Sequence, residues 1–174
     1  MTTMSGDFRR DLEARRYPVL VYAMAPLAAL VLQAWLPRMT TERYAWFDLP
    51  LLITVYFSLV HRVPIQGSLM GAAMGLFEDA LTGHAIGVNG IAKTAVGFLA
   101  SSVGLRIDVE NHTIRLGLTF LLSLLSSAIY VSVYRGLLGL NPEWNWLSEL
   151  FKAIGNTLIA LVLFPALDRL QVRD

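Results

Sequence analysis

Apolar residues dominate six stretches of the chain, and short polar or turn-like breaks separate them. Most stretches are long enough for a helix that crosses a bilayer, which needs about 20 residues. They cover residues 17–36, 48–60, 63–81, 86–105, 113–138 and 147–167. The second is short, and Pro64 follows its polar break, so the second and third stretches are expected to form a tight helical hairpin. The pattern predicts an all-α integral membrane protein with six transmembrane helices in a compact bundle.

Composition supports a membrane location. Of the 174 residues, 55% are hydrophobic and 16% are charged, with a mean hydropathy of +0.55. A soluble domain of this size needs fewer apolar residues to fill its core. The formal net charge is +1, and because the basic residues are dispersed, no nucleic-acid partner is expected. The chain has no cysteine, which excludes disulfides, thiolate nucleophiles and cysteine-ligated metals.

Basic residues near the predicted helix ends set the orientation. If the N-terminus is inside, nine arginines fall on the cytoplasmic side, namely Arg9, Arg10, Arg15, Arg16, Arg62, Arg106, Arg115, Arg169 and Arg173. Four basic residues fall outside, namely Arg38, Arg43, Arg135 and Lys152. This asymmetry favours two cytoplasmic termini. The predicted organisation is a cytoplasmic segment over residues 1–16, one six-helix membrane domain over 17–168 and a cytoplasmic tail over 169–174.

Glycine recurs at every fourth position in the third stretch, GSLMGAAMGLFEDALTG. Residues four apart share one face of a helix. The residues on this face are Gly67, Gly71, Gly75, Asp79 and Gly83. In lipid, small residues at this spacing let two helix backbones approach closely. We therefore expect the face to be a helix-packing surface, either inside the bundle or against a partner's helix.

Two adjacent acids, Glu78 and Asp79, lie near the outer end of the third stretch. A carboxylate in a bilayer is costly unless it is near the interface, protonated or paired. Lys93 in the fourth stretch can reach back toward either acid, so an intramembrane ion pair with Glu78 or Asp79 is the preferred interpretation. The alternative is that these residues line a proton or ion path together with His84.

No other polar residues form a reactive or metal-binding pattern in the sequence. A loop or capping role is favoured for His84, because no second histidine or set of carboxylates accompanies it. Ser123, Ser126 and Ser127 lack a histidine or aspartate partner, and with Asn156 they are typical of hydrogen bonding between membrane helices. The sequence therefore predicts no enzyme activity, no metal and no cofactor.

The region from the second to the fourth stretch resembles a known family. An apolar helix, a short polar break, a glycine-rich helix that ends in an aspartate and a small-residue turn follow one another, as in the rod shape-determining protein MreD family of the bacterial inner membrane. The resemblance is specific over roughly residues 47–104. The matching residues are Pro64, Gly67, Gly71, Gly75, Asp79, Gly83 and Gly87.

This resemblance implies a non-enzymatic scaffold of the cell-elongation machinery, or elongasome, that helps to organise peptidoglycan synthesis. It implies binding of the bitopic protein MreC and, through it or beside it, of the MreB filament, the RodA glycosyltransferase and a class B penicillin-binding protein. It also implies a fold similar to the substrate-binding subunits of energy-coupling-factor transporters. That similarity supplies an alternative function, a small-molecule (vitamin-like) binding subunit of a membrane transporter. Against it, the loop TGHAIGVN offers such a ligand only His84 and Asn89.

Overall fold

The computed structural model consists of six α-helices over the part of the chain that it describes. That part is residues 18–39, 47–83, 85–107, 109, 111–139 and 145–170. The helices are α1 (Val19–Met39), α2 (Leu49–His61), α3 (Pro64–Thr82), α4 (Val88–Gly104), α5 (His112–Leu138) and α6 (Trp146–Asp168). The prediction of six helices is confirmed. The expectations for residues 1–16, His84 and residues 171–174 lie outside the described residues.

Side chains and prolines define where the helices begin. Asp48 caps α2, because its Oδ1 accepts a hydrogen bond from the Leu51 N–H at 2.8 Å. Asn111 and Asn145 cap α5 and α6 in the same way, each bonding the N–H two residues ahead. Pro64 is the first residue of α3. Proline lacks a backbone N–H, but the N–H at this position makes no hydrogen bond within a helix, so proline is tolerated there.

α2 lies at the centre of the bundle. Ten of its 13 residues are buried, and it contacts each of the other five helices. Its Tyr56 packs against Phe164 of α6, with ring centroids 5.2 Å apart. A helix of 13 residues is about 20 Å long, since each residue rises about 1.5 Å. α2 is therefore shorter than a bilayer core of about 30 Å, and longer helices surround it.

The other five helices form two groups around α2. α3 and α4 make the most extensive helix contact, while α1 packs on α2 and α3. α5 and α6 pair with each other, and α5 also packs on α4. Two ends of the bundle can be distinguished: the Asp48 end, where α3 and α6 meet the start of α2, and the Asp168 end, where α5 begins and α6 ends.

Two helices, α5 and α6, are long and apolar enough to cross a membrane. α1 and α2 contain shorter apolar segments, which cover Leu20–Trp35 and Leu49–His61. Large apolar side chains point outward from the bundle, among them Leu121, which is 61% exposed, and Val162, which is 71% exposed. Such surfaces are typical of contact with lipid or a partner. That all six helices span a membrane stays a prediction.

Candidate functional site

Three glycines build the contact between α3 and α4. A Cβ added to any of them would overlap a main-chain carbonyl oxygen of α4. The facing pairs are Gly67–Gly97, Gly71–Lys93 and Gly75–Asn89. Their order shows that the helices are antiparallel and that their backbones touch over several successive turns. Because any side chain would push the helices apart, the contact depends on glycine at each position.

This contact decides between the two places considered for the glycine face. α4 of the same chain covers Gly67, Gly71 and Gly75, and all three are buried. The face is therefore a surface for helix packing inside the bundle. A partner that binds this chain has to use another surface.

Gly83 and Gly87, for which the spacing and the family resemblance also predict a helix-packing or partner interface, differ from the other glycines of the pattern because they are not part of the contact between α3 and α4. Nothing lies within 4 Å of a Cβ built on either residue. Their φ angles are +72° and +100°, in the left-handed region that favours glycine. Gly83 ends α3 and Gly87 precedes α4. Both residues turn the chain between the two helices.

Asp79 continues the glycine face and is fully buried. Its Oδ2 accepts hydrogen bonds from the Gly87 N–H at 2.8 Å and the Asn89 N–H at 3.1 Å. Its Oδ1 accepts a third from Asn89 Nδ2 at 2.7 Å. Three N–H donors satisfy this carboxylate without a cation. Asp79 therefore joins the end of α3 to the start of α4.

Lys93 pairs with Glu78 and not with Asp79. Its side chain is completely buried, and its Nζ lies 2.8 Å from Asp48 Oδ2 and also donates to Glu78 Oε2. One ammonium group thus joins α3 and α4 to the residue that caps α2. The contribution of Asp48 was not predicted. The sequence marks it as a helix start before an apolar run, but no spacing rule brings it next to Lys93.

Further hydrogen bonds extend this contact to the remaining helices. The Asp48 N–H donates to Asn156 Oδ1 at 2.7 Å, and Asn156 Nδ2 donates to Ser123 Oγ at 3.1 Å. Gln33 of α1 bonds the main chain on either side of Asp48, at Phe47 and Leu49. We call this set the polar cluster; its residues are Gln33, Asp48, Glu78, Asp79, Lys93, Ser123 and Asn156. Five of the six helices contribute a side chain to the polar cluster, and Asp48 caps the remaining helix, α2.

A second polar contact, between a buried arginine and a partly exposed aspartate, lies at the Asp168 end. Arg115 Nη1 lies 2.7 Å from Asp168 Oδ2, and the Tyr56 hydroxyl donates to Asp168 Oδ1 at 2.7 Å. The guanidinium also lies over the rings of Tyr56 and Phe164, at 5.1 and 5.0 Å from their centroids. The sequence predicts Arg115 only as a basic residue near the cytoplasmic end of a helix. In the structure it ties α5 to α2 and α6.

A groove of about 720 Å³ runs along the outward side of the α3–α4 pair. Small side chains line most of it, including Ala72, Gly90 and Ala95. The two hydroxyls in its wall already bond within their own helices: Ser68 Oγ donates to Pro64 O at 2.8 Å and Thr94 Oγ1 to Gly90 O at 2.6 Å. The groove is therefore an apolar surface with a floor of small residues.

Metal binding has no support in the part of the chain that the structure describes. Among those residues, no three His, Cys, Asp or Glu side chains are grouped so that they could hold a metal ion. The buried polar side chains of the cluster bond to one another and to neighbouring groups at the helix ends. What the cluster does chemically is to hold helices together and to keep charge inside an apolar bundle.

Comparison with known proteins extends the resemblance from residues 47–104 to most of the chain. The family model described as rod shape-determining protein MreD matches residues 14–171 of the 174. The chain belongs to the MreD family. Membership places it in a membrane family that acts in rod-shape determination without catalysis. No curated protein and no solved structure matches the chain, so the likeness to energy-coupling-factor subunits stays a prediction.

Proposed function

We propose that this member of the MreD family is a non-enzymatic scaffold of the bacterial elongation machinery that binds MreC and helps to organise peptidoglycan synthesis. The observation that carries the proposal is the family match over residues 14–171. The structure adds support, because buried polar side chains hold the helices to one another and the groove along α3 and α4 is apolar. Both features suit a protein that holds other membrane helices in place.

We also propose that the chain crosses the inner membrane several times and that both termini lie in the cytoplasm. Residues 1–16 and 169–174 are then cytoplasmic, and residues 17–168 form the membrane domain. In this orientation the polar cluster lies in the outer half of the bundle. The Arg115–Asp168 contact lies at the cytoplasmic face, where basic residues are favoured.

We assign the groove along α3 and α4 to the single membrane helix of MreC. Its lining follows α4 from Gly87 to Phe98, about 16 Å at 1.5 Å per residue, which is three turns of a helix lying alongside. Ala72 and Ala95 let a partner backbone come close, as small residues do between membrane helices. Since the wall hydroxyls are already bonded, the groove suits an apolar helix better than a polar ligand.

Co-purification with MreC tests this assignment. Ala72→Trp and Ala95→Trp each fill the groove and should reduce the amount of MreC retained in detergent. Leu121→Trp and Val162→Trp change exposed positions on α5 and α6 and serve as controls that should retain MreC fully. If all four variants retain MreC equally, the groove holds lipid or another protein and the assignment is wrong. MreB, RodA and the class B penicillin-binding protein are sought in the same preparations.

Loss of the protein tests the function as a whole. Cells that lack it should become rounded, with weakened or mislocalised elongation complexes. The alternative, a vitamin-binding transporter subunit, has no structural observation in its favour. Mutant cells that keep their rod shape but require an added vitamin would establish the alternative and refute the scaffold.

A further inference from the structure

The charged groups at the centre of the polar cluster do not balance. Asp48 and Glu78 both contact the Lys93 ammonium, and none of the three side chains is more than 9% exposed. With both acids ionised, this triad has a net charge of −1. A buried charge without compensation is strongly unfavourable, and such groups usually change protonation state instead. The triad is neutral if one of its carboxyl groups carries a proton.

Among the residues that the structure describes, Lys93 is the cation that forms ion pairs with Asp48 and Glu78, and the other charged groups lie further from these two acids. Lys152 of α6 acts electrostatically on both Asp48 and Glu78. Glu149 lies three residues before Lys152 and accepts a hydrogen bond from Ser127. Asp79 follows Glu78 in α3, and its carboxylate accepts hydrogen bonds from N–H groups of Gly87 and Asn89.

The remaining helices add no nearby cation among the residues that the structure describes. α5 presents Tyr130 and Tyr134, whose rings stack with centroids 5.6 Å apart, and Tyr130 is within electrostatic range of Glu78. α1 presents the neutral Gln33, and Arg135 near the end of α5 is exposed. Two buried acids therefore share the one lysine with which they form ion pairs, which favours uptake of a proton.

The hydrogen bonds of the two acids differ. Asp48 accepts a bond through each oxygen, Oδ1 from the Leu51 N–H and Oδ2 from Lys93. A proton on either oxygen would compete with one of these bonds. Glu78 is bonded through Oε2, so that a proton can sit on Oε1 while Lys93 remains an ammonium. Glu78 is also 7% exposed and lies one turn before the end of α3, which gives water a route to it.

We propose that Glu78 binds an exchangeable proton at the Asp48 end of the bundle. The proton comes from water and adds to Oε1, and no other bond forms or breaks. The protonated triad is neutral and holds α3 and α4 to the cap of α2, whereas loss of the proton leaves an uncompensated charge. This inference does not depend on MreC, so its test stays informative whatever the partner experiments show.

Thermal unfolding of the purified full-length protein in detergent, between about pH 5 and pH 9, tests the proposal. A carboxyl group that the folded state holds protonated and the unfolded state releases makes the folded state most stable at acidic pH. The Tm should therefore fall as the pH rises through neutrality. Glu78→Gln keeps the shape and is always neutral, so it should lose this pH dependence and match or exceed the parent's Tm at neutral pH. Asp79→Asn, the control, should lower the Tm at every pH and keep the parent's pH dependence.

Infrared spectroscopy of the folded protein supplies a second readout. At neutral pH the parent should show the carbonyl stretch of a protonated carboxylic acid, and Glu78→Gln should lack it. The proposal is overturned if the band persists in Glu78→Gln, or if parent and variant respond to pH in the same way. It is also overturned if Glu78→Gln does not fold, because the neutral form is the one that the proposal assigns to the native state.

Discussion

Gly71 of α3 lies directly against the main chain of Lys93 in α4, and the side chain of that same lysine lies between Asp48 and Glu78. The glycine contact between α3 and α4 and the buried ion pairs therefore share one residue, Lys93. If α3 and α4 separate at Gly71, the Lys93 ammonium moves away from its carboxylates. The glycine contact therefore positions the polar cluster.

Gly71→Ala should destabilise the protein, although alanine is normally the better helix former by about 0.8–1 kcal/mol. The added Cβ would overlap the Lys93 carbonyl, and overpacking of this kind costs about 1–3 kcal/mol. Gly117→Ala in α5 is the matched control, because nothing lies within 4 Å of its Cβ position. Thermal unfolding in detergent should show a lower Tm for the first change and an equal or higher Tm for the second. Equal shifts for both would contradict the packing account.

Lys93→Met should be among the most damaging single changes, since it leaves two buried carboxyl groups without their cation. Breaking one side of a buried ion pair costs about 3–5 kcal/mol. Adding Asp48→Asn to Lys93→Met should recover part of that loss, because the Asp48 carboxylate that Lys93→Met leaves unpaired is then replaced by a neutral amide. Expression level and Tm of the single and double variants check this. A double variant less stable than Lys93→Met alone would argue against the pairing.

Asp79→Asn should cost about 1–3 kcal/mol, the usual penalty for an unsatisfied buried hydrogen-bonding group. The new amide nitrogen faces a donor of the turn, either an N–H or Asn89 Nδ2. Combining Asp79→Asn with Asn89→Asp restores a carboxylate opposite an amide and should recover stability. We expect the damage from Asp79→Asn to be smaller than that from Gly71→Leu or Gly75→Leu, which force the helices apart. Asp79→Asn that abolishes function while stability and partner binding stay normal would instead indicate a proton or ion path.

Reporter fusions test the membrane topology. Fusions after residue 40 and after residue 142 should report an external location, and a fusion after residue 109 an internal one, because arginines are concentrated on the predicted cytoplasmic side. An external signal at residue 109 would overturn the orientation, and with it the assignment of the polar cluster to the outer half of the bundle.

Sequence spacing revealed features that depend on neighbouring residues in the chain. The six helices follow from apolar length, and the approach of Gly67, Gly71 and Gly75 to another helix follows from their repeat of four. Gly83 and Gly87 fit the same repeat but serve the turn, because the helix ends at Thr82. Spacing does not reveal where a helix ends, because glycine can serve both in helix packing and in the turn that follows a helix.

Residue spacing does not predict contacts between residues that are distant in the sequence. Asp48 and Lys93 are brought together only by the packing of α2 against α4, and Arg115 meets Asp168 only because α5 and α6 are antiparallel. The sequence does hold a signal for the first contact, since an intramembrane lysine needs an acidic partner. The predicted stretches offer four acids, Asp48, Glu78, Asp79 and Glu149, and only the fold selects Asp48 and Glu78.

A double-mutant cycle between Gly71→Ala and Lys93→Met tests most directly whether the glycine contact positions the polar cluster. The measurement is the free energy of unfolding of the parent, the two single variants and the double variant in one detergent. If Gly71→Ala already draws Lys93 away from Asp48 and Glu78, the double variant should be more stable than the sum of the single losses predicts, by about 0.5–3 kcal/mol. Strictly additive losses would show that the helix contact and the ion pairs are independent, and would contradict the account.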